Sequence, residues 1–552
     1  MPMHLIPGKS NSHLSLFQKV HVTHDLLVLQ VLLVFSMTLA GWDSWQSKAS
    51  GKGPNFVIIL ADDMGFSDLG CYGGDVASPN LDQLAANGLR FTQFYNTARC
   101  WPTRSCIMTG YYAQQVRMDP PKGRLPAWAL TLPKRLQGHG YHSYHAGKWH
   151  VNGAPRVVAD GGFEHSYRLA DHDRFFSPKN TQLDDVRLPE VPRDSGYYTT
   201  TEIVNRGIGF LQQHQQTHGD APFFLYVAFN SPHFPLHALP EDIAKYERKF
   251  DDGWDVVRQR RYERLSKLGI INTSLSAAEP QTRPNWNLDE AKLQEEIGPG
   301  ESGSAVPWTS LNSQQQRFQA IKMAIHTAMV DRIDQEVGRL FGQLKSMGAW
   351  DDTVIFVLSD NGASAEQLIR GDMNDKSASP GSAGSYLCLG PGWSTACNTP
   401  FRRHKTWVNE GGISTPLIVH WPVGISARGE LRRQVGHVID LVPTCMELAG
   451  IDEQPSSDDA PPLPGHSLAA AIREDEAVDR DYVFFHHQGS RALRMGNWKI
   501  VNDKNEETWQ LYNLENDRAE SQDLAELQPD RVREMSNKWQ SLEQQFRRQA
   551  GE

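Results

Sequence analysis

The sequence predicts an α/β fold with a large, mostly parallel sheet, followed by a smaller C-terminal α+β subdomain with an antiparallel sheet. Strand-like segments, most of them continuous apolar runs, lie at residues 55–60, 141–145, 221–230, 353–358 and 414–420. Helical patterns separate them, and this alternation favours a mostly parallel sheet. Beyond residue 452 a Pro/Ser/Asp-rich stretch leads to short runs typical of an antiparallel sheet, at residues 482–487, 491–501 and 508–514. We therefore expect a main domain at 53–450 and a C-terminal subdomain at 451–552.

The predicted helices follow from the spacing of apolar residues. The first begins near residue 79 and carries Leu81, Leu84 and Leu89 on one face. Further helices are predicted over residues 131–138, 316–347 and 530–548. The apolar stripe of the longest one starts at Ile321 and continues at three- and four-residue steps. Residues 245–313 show no steady period, and the sequence predicts neither their structure nor their role.

Composition and charge are those of an ordinary globular protein. Of the 552 residues, 39% are hydrophobic and 22% are charged. Lys and Arg total 55 against 65 for Asp and Glu, a net charge of -10, so no nucleic-acid partner is expected. An anionic substrate would have to be bound by a local cluster of cations.

The N-terminal segment is predicted to be a signal peptide, residues 1–41. An apolar run at 26–40 follows a segment that carries Lys9 and Lys19, and cleavage is expected near Ala40. The run is shorter than the roughly twenty apolar residues that a membrane span needs, so no stable span is predicted. The protein is therefore expected to be exported, either to a periplasm or to the medium. In that environment six cysteines allow up to three disulfides, with Cys388–Cys397 the first pair to test.

Polar residues follow the predicted strands where those strands end. They are Asp62 and Asp63, Lys148 and His150, His233, and Asp360 and Asn361. In open α/β sheets ligands bind outside the carboxyl ends of the strands, so these side chains are expected to share a site. The four oxygen donors suit Ca²⁺ or Mg²⁺ rather than zinc. Any single acid among them is also a candidate helix cap.

Cys100, Pro102 and Arg104 form a C-x-P-x-R pattern. Pro102 stiffens the turn after Cys100 and allows a helix to start near Thr103. Cys100 would then lie at a helix N-terminus, where anions are favoured. Taken alone, the pattern also admits a buried or disulfide-bonded structural cysteine.

The pattern, followed by Thr109 and Gly110, resembles the signature of the sulfatases. The motifs G-K-W-H (Lys148, His150), S-P-H-F-P (His233) and Lys405 five residues before E-G-G are similar to that family in the same order. The resemblance is closest to arylsulfatase-type members and covers residues 54 to about 524. It implies the alkaline-phosphatase-like α/β/α sandwich. Trp101 stands where a small residue is common in the family.

The resemblance implies a sulfuric ester hydrolase acting on an aryl sulfate or a sulfated carbohydrate. A formylglycine-generating maturation enzyme would convert Cys100 to an aldehyde, whose hydrate, a gem-diol, is the nucleophile. The second hydroxyl of the diol gives the covalent sulfo-enzyme a route to release sulfate, which a serine ester lacks.

The resemblance also assigns a role to each site residue. It implies that Asp62, Asp63, Asp360, Asn361 and the modified Cys100 hold one Ca²⁺, with Mg²⁺ as the second choice. Arg104 would hold the diol, and Lys148 and Lys405 would neutralise sulfate oxygens. His233 with Lys405 would protonate the leaving alcohol, and His150 would take the proton that triggers sulfate release.

Two alternatives remain open from the sequence. One is a phosphate or phosphonate ester hydrolase of the same superfold, and the other is a non-catalytic, secreted, glycan-binding homologue. A loop that carries Arg402, Arg403, His404, Trp393 and Trp407 is a candidate cationic and aromatic rim for substrate selection. For Arg402 and Arg403 a solvated basic loop is the alternative.

Overall fold

The structure, a computed structural model, describes residues 53–171, 173–371, 373–452, 456–504 and 506–552. The predicted signal peptide lies outside the described residues. Residues 54–552 form one compact unit. Within the described part of the chain, none of the helices is both long and apolar enough to cross a membrane.

Fourteen strands in the described residues form two sheets. They are β1 Asn55–Ala61, β2 Leu89–Tyr95, β3 His142–Lys148, β4 His165–Leu169, β5 Thr181–Leu183, β6 Val186–Arg187, β7 Phe223–Ala228, β8 Thr353–Ser359, β9 Ser414–His420, β10 Glu430–His437, β11 Val483–His487, β12 Ser490–Met495, β13 Trp498–Asn502 and β14 Gln510–Asn513. The large sheet has the order β10-β2-β9-β8-β1-β7-β3-β4-β5-β6, and the small sheet has the order β11-β12-β13-β14.

The centre of the large sheet is parallel, as predicted. Strands β8, β1, β7, β3 and β4 all run in one direction, whereas β9 is antiparallel to both of its neighbours. All pairs in the small sheet are antiparallel, which confirms the predicted C-terminal arrangement. The carboxyl ends of β8, β1, β7 and β3 therefore lie side by side at one edge.

Helices cover both faces of the large sheet. They are α1 Pro79–Ala86, α2 Cys100–Thr109, α3 Leu132–Gln137, α4 Thr199–Thr217, α5 Pro240–Ala244, α6 Gly253–Lys267, α7 Glu290–Glu296, α8 Ser313–Ser346, α9 Pro391–Cys397, α10 Glu410–Ile413, α11 Leu441–Leu448, α12 Ala469–Glu474 and α13 Pro529–Gln549. Alternate residues of β1 point to opposite faces of the sheet. Val57 and Ile59 belong to the hydrophobic core that also contains residues of α1, α4, α6 and α8. Ile58 and Leu60 belong to the core on the other face, with residues of α2, α3, α11 and α13. The result is a three-layer α/β/α arrangement.

Three local predictions were wrong. Leu89 is the first residue of β2, not part of the first helix, which ends at Ala86. Ile321 is 42% exposed, because it lies off the buried stripe of α8. Helix α2 begins at Cys100 rather than near Thr103, since Pro102 fits within the first turn of a helix.

The segment at 245–313, which the sequence left open, contains α6, α7 and part of the core. Trp254 of α6 packs edge-on against Trp308 and Trp393, with ring centroids 4.8 and 5.7 Å away. These contacts fix the segment over the sheet.

Candidate active site

The oxygen donors converge where β1 and β8 end. These strands pair in parallel with Ala61 opposite Ser359, so the residues that follow them are neighbours. The Asn361 side-chain amide donates to Asp63 Oδ1 at 2.7 Å, and the Asp63 N–H donates to Asp360 Oδ1 at 3.3 Å. Asp63 has a φ of 69°, a left-handed conformation that turns the chain sharply just after the strand. The structure therefore brings Asp62, Asp63, Asp360 and Asn361 together, as the sequence predicted.

Cys100 lies beside these carboxylates in the first turn of α2. Its sulfur and one carboxylate oxygen each from Asp62 and Asp360 all lie within 4.8 Å of one another. One turn further along the helix, Arg104 is fully buried. Its guanidinium donates to Asp360 Oδ2 from Nε at 2.9 Å and from Nη2 at 2.7 Å, and from Nη1 to the Lys148 carbonyl at 2.8 Å. Helix α2 thus places the Cys100 sulfur and the Arg104 guanidinium beside the same carboxylate, that of Asp360.

Two buried lysines form ion pairs with these carboxylates. Lys148, the last residue of β3, donates to Asp62 Oδ2 at 2.5 Å. Lys405 lies 2.8 Å from Asp63 Oδ1 and 3.1 Å from Glu366 Oε2. Each lysine is 1% exposed, so their attraction to the carboxylates is only weakly screened by water.

Two histidines border the same centre. His233 follows β7, and its Nδ1 lies 2.5 Å from the Phe234 carbonyl oxygen. Because a carbonyl oxygen can only accept, this nitrogen carries a proton and donates a hydrogen bond to that oxygen. Its Nε2 then faces Asp63 Oδ2 at 3.8 Å. His150 follows β3 with a φ of 54°, and its ring lies 5.8 Å from the Trp101 ring. Burial and the Lys148 charge lower the pKa of His150 well below its usual value.

Burial and neighbouring charges push the carboxylate pKa values apart. Burial alone would raise the pKa of Asp62, but Lys148 and Arg104 outweigh it, and that pKa is lowered. Burial raises the pKa of Asp63, which Lys405 only partly offsets. Burial and the Asp62 charge raise the pKa of Asp360 well above its usual value. Such divergence among adjacent acids is typical of functional sites.

The residues present fit a bound divalent cation. Among the described residues, Asp62 Oδ1 and Asn361 Oδ1 are buried oxygens without a hydrogen-bond partner. Buried polar atoms normally have partners, and these two are hard oxygen donors of the kind that Ca²⁺ and Mg²⁺ prefer. Asp62, Asp63, Asp360 and Asn361 are therefore the residues that would hold the ion.

The sequence reasoning missed two residues of the centre. Glu366 is 2% exposed, and it joins Lys405 to Arg99 Nη2, which lies 3.2 Å from Glu366 Oε1. Lys405 and Arg99 outweigh the effect of burial and lower the pKa of Glu366. Neither Glu366 nor Arg99 belongs to a motif of its own; the only sequence clue was their closeness to Asn361 and Cys100.

The predicted rim is only partly correct. Arg403 and Trp407 line a cavity beside the centre. Trp393 is fully buried in the aromatic core, and His404 is 3% exposed, with Nδ1 2.7 Å from Ser394 Oγ. These two residues cannot contact a substrate at the rim. Arg402 is held by Glu279 and Tyr512.

The six cysteines, all within the described residues, are free thiols. The suggested Cys388–Cys397 pair is therefore not formed in this structure. Cys397 instead lies 3.8 Å from His326 Nε2.

Comparison with known proteins gives the family of this chain. The family model described as Sulfatase matches residues 54–451, and the model described as N-sulphoglucosamine sulphohydrolase, C-terminal, matches residues 402–549. This chain belongs to the sulfatase family. An arylsulfatase of Klebsiella aerogenes is 30% identical over 471 residues, which cover 79% of this chain and 95% of that protein.

Solved structures show the same fold. Ps i-CgsB in complex with k-i-k-neocarrahexaose has a TM-score of 0.64 at 23% identity, over 90% of this chain and 94% of that one. The phosphonate monoester hydrolase of Agrobacterium radiobacter has a TM-score of 0.56 at 20% identity, over 89% and 96%. The alkaline-phosphatase-like α/β/α prediction is confirmed, and membership of the family supports hydrolysis of a sulfate ester.

Proposed function

We propose that this chain hydrolyses sulfate monoesters of aryl or carbohydrate alcohols through a formylglycine made from Cys100. The observation that carries the proposal is the position of Cys100, in the first turn of α2 and beside the carboxylates of Asp62 and Asp360. Three buried cations, Arg104, Lys148 and Lys405, surround that point. A buried structural cysteine would have no need of this charge.

The first half-reaction forms a covalent ester. One hydroxyl of the formylglycine hydrate, ionised by loss of its proton to solvent, attacks sulfur while the bond from sulfur to the substrate oxygen breaks. Lys148 and Lys405 are positioned to neutralise sulfate oxygens as charge moves. His233, when doubly protonated, donates the Nε2 proton to the departing alcohol together with Lys405, because its Nδ1 proton is already bound to the Phe234 carbonyl.

The second half-reaction releases sulfate. His150 takes the proton of the remaining hydroxyl, the carbon–oxygen bond to sulfate breaks, and the aldehyde is restored for hydration by water. The lowered pKa of His150 keeps its imidazole neutral at neutral pH, so that it can accept this proton. Arg104 donates two hydrogen bonds to Asp360 Oδ2 and one to the Lys148 carbonyl, and in this position it holds the diol in place.

The metal that fits the four oxygen donors is Ca²⁺, with Mg²⁺ second. When bound, it would supply a fixed positive charge that favours the ionised diol and orients the sulfate. We place the protein outside the cytoplasm, because residues 1–41 have the pattern of a signal peptide. N-terminal sequencing of exported protein should then begin near residue 41.

Mass spectrometry of the peptide that spans Cys100 tests the proposal. The protein should come from its own host or from co-expression with a formylglycine-generating enzyme. We expect formylglycine at position 100 together with sulfate release from 4-nitrophenyl sulfate. Unmodified or disulfide-bonded cysteine in that preparation would overturn the proposed mechanism.

A further inference from the structure

A cavity of about 220 Å³ with a mixed polar and apolar lining opens beside the proposed catalytic centre. Three separate parts of the chain line it: residues 281–286, residues 403, 406 and 407, and residues 487, 488, 490, 503, 504 and 506. Its charged lining residues are three cations, Arg283, Arg403 and Lys504, and two acids, Asp503 and Glu506, and its tryptophans are Trp286 and Trp407. A cavity of this size is large enough for one sugar ring.

Direct contacts tie this cavity to the catalytic lysine. The Trp286 indole N–H donates to Glu366 Oε1 at 3.0 Å, and Glu366 Oε2 lies 3.1 Å from Lys405. The Arg99 guanidinium lies 5.7 Å from the Trp286 ring and 5.2 Å from the Trp101 ring. A leaving alcohol protonated near Lys405 would therefore extend along Trp286 into the cavity.

Buried hydrogen-bonding groups beside the cavity lack partners. Within the described part of the chain, Arg99 Nε and Nη1, Trp101 Nε1 and His487 Nε2 are buried without a hydrogen-bond partner. The His487 ring is fully buried, and its Nδ1 is held 2.9 Å from Asp119 Oδ2. An unpaired buried polar group costs about 1–3 kcal/mol. The Arg99 and Trp101 N–H groups therefore fit accepting oxygens of a ligand, and His487 Nε2 of the neutral ring, whose Nδ1 donates to Asp119, fits a ligand hydroxyl that donates.

The aromatic surface of the cavity is accompanied by positive charge. Trp286 is 37% exposed, and Lys504 Nζ lies 5.6 Å from its ring centroid. A tryptophan face packs well against the C–H groups of a sugar, while Lys504 and Arg99 attract an anionic substituent. A plain aryl leaving group would leave the buried donors unpaired.

We propose that this cavity binds one sugar ring of a sulfated saccharide that carries a second anionic group besides the scissile sulfate. Trp286 packs against the ring, and Arg99 and Lys504 bind the second anion. Trp101, unusual for the family at its position, lines the approach between Arg99 and His150. The proposal rests on the proposed function, since it places the leaving alcohol at Lys405.

Isothermal titration calorimetry on the Cys100→Ala protein in calcium-containing buffer tests the proposal without turnover. Two matched ligand pairs differ only in the second anion. The first pair is D-glucosamine 2-N,6-O-disulfate and N-acetyl-D-glucosamine 6-sulfate. The second pair is the 2-sulfates of methyl glucuronide and methyl glucoside. We expect the doubly anionic member of at least one pair to bind about tenfold more tightly, as a charge-assisted hydrogen bond to a cation would give.

Second substitutions identify the residues responsible. Adding Lys504→Gln should remove most of the tenfold difference, whereas adding Lys267→Gln, at the exposed end of α6, should preserve it. Adding Trp286→Ala should weaken both members of a pair, and Trp286→Phe should restore part of that loss. Circular dichroism of each variant checks that it is folded.

Equal affinities within both pairs, absent binding of all four ligands, or the same loss from Lys504→Gln and Lys267→Gln would overturn the proposal. These outcomes are separable from a failure of the proposed function. Binding to the Cys100→Ala protein needs no formylglycine, whereas the mass-spectrometric test concerns only position 100.

Discussion

Two buried clusters of charge in this protein differ in how completely their atoms are paired. One is the catalytic centre. The other, here called the joint network, consists of Glu410, Lys499, Arg518 and Glu520 and links the two sheets. Lys499 Nζ lies 3.0 Å from Glu410 Oε1 and 2.7 Å from Glu520 Oε1, and Arg518 Nε donates to Glu410 Oε2 at 2.9 Å. All four side chains are buried.

The joint network leaves no buried side-chain oxygen or nitrogen without a partner among its four described residues, whereas the catalytic centre leaves Asp62 Oδ1 and Asn361 Oδ1 unpaired. Buried charge by itself therefore does not mark a functional site in this molecule. The catalytic centre differs because it combines buried charge with polar atoms that lack hydrogen-bond partners and because it lies next to a cavity. A fully paired network stabilises one arrangement, and an incompletely paired one is ready to bind a ligand.

The largest expected effect comes from removing the proposed nucleophile. Cys100→Ala should reduce sulfate release from 4-nitrophenyl sulfate to background, because no aldehyde can form, while circular dichroism and the melting temperature stay close to those of the wild type. Ion chromatography of released sulfate measures the first effect.

The matched control is Cys106→Ala, six residues further along α2 and fully buried among apolar side chains. It should retain turnover and lose some thermal stability. Normal turnover by Cys100→Ala would contradict the distinction between a reactive and a structural cysteine on one helix.

A pair of lysine substitutions compares the two clusters directly. Lys405→Met should lower kcat by about a thousandfold, since a charge that stabilises the transition state is lost. Lys499→Met should instead lower the free energy of unfolding by about 3–5 kcal/mol, because Glu410 and Glu520 are left buried without their shared cation. Steady-state kinetics and urea unfolding of both variants provide the two measurements.

The comparison fails if both lysine variants lose stability to the same extent or if both retain kcat. In the Lys405→Met protein we expect the smaller loss of stability, because Glu366 still pairs with Arg99 and the raised pKa of Asp63 lets that carboxyl group take up a proton.

The acid stability of the joint network gives the third test. Burial would raise the pKa of Glu410, but Lys499 and Arg518 lower it from 4.5 to about 2. The unfolded chain therefore binds a proton at higher pH than the native one does. The corresponding stability, roughly 3 kcal/mol, is present above pH 4.5 and is lost as the pH falls toward 2.

Glu410→Gln should flatten the decline of unfolding free energy between pH 4.5 and the lowest pH at which the protein still folds. Urea unfolding at a series of pH values measures the slope. Glu515→Gln, an exposed acid just beyond β14, is the control and should keep the wild-type slope. An unchanged slope in Glu410→Gln would show that the network does not titrate as described.

The smallest expected effect concerns calcium. Calcium at a hundredfold excess over its dissociation constant should stabilise the native protein by about 2.7 kcal/mol and raise the melting temperature by a few degrees. Asn361→Ala removes one unpaired oxygen without changing the charge and should abolish most of this increase. Glu410→Gln should melt at a lower temperature but keep the calcium-dependent increase. An equal response in all three proteins would contradict the assignment of the oxygen donors.

Much of the fold and the site was predictable from local patterns. The apolar run at 55–60 and the acids directly after it gave both strand β1 and its position, because a strand buried on both faces needs unbroken apolar sequence. The residues predicted at strand ends do converge, since parallel strands place their carboxyl ends at one edge. The helix that begins at Cys100 and the first helix were each misplaced by three residues at one end, because local patterns fix the existence of an element better than its ends.

Contacts between distant segments could not be read from local patterns. Glu366 carries no motif, and its importance arises only where the fold brings it against Lys405 and Arg99. Trp393 and Trp407 are the same residue type in neighbouring stretches of sequence. In the structure, however, Trp393 lies in the core and Trp407 lines the cavity.

By itself, the sequence predicted the fold class, and its motifs pointed to the proposed nucleophile and to the other residues of the proposed chemistry, because strand burial and short motifs are local properties. Only the tertiary structure decided which charges are paired, which polar atoms lack partners and which aromatic residues meet a substrate. Those outcomes depend on long-range packing, in which residues hundreds of positions apart, such as Asp63 and Lys405, come within hydrogen-bond distance.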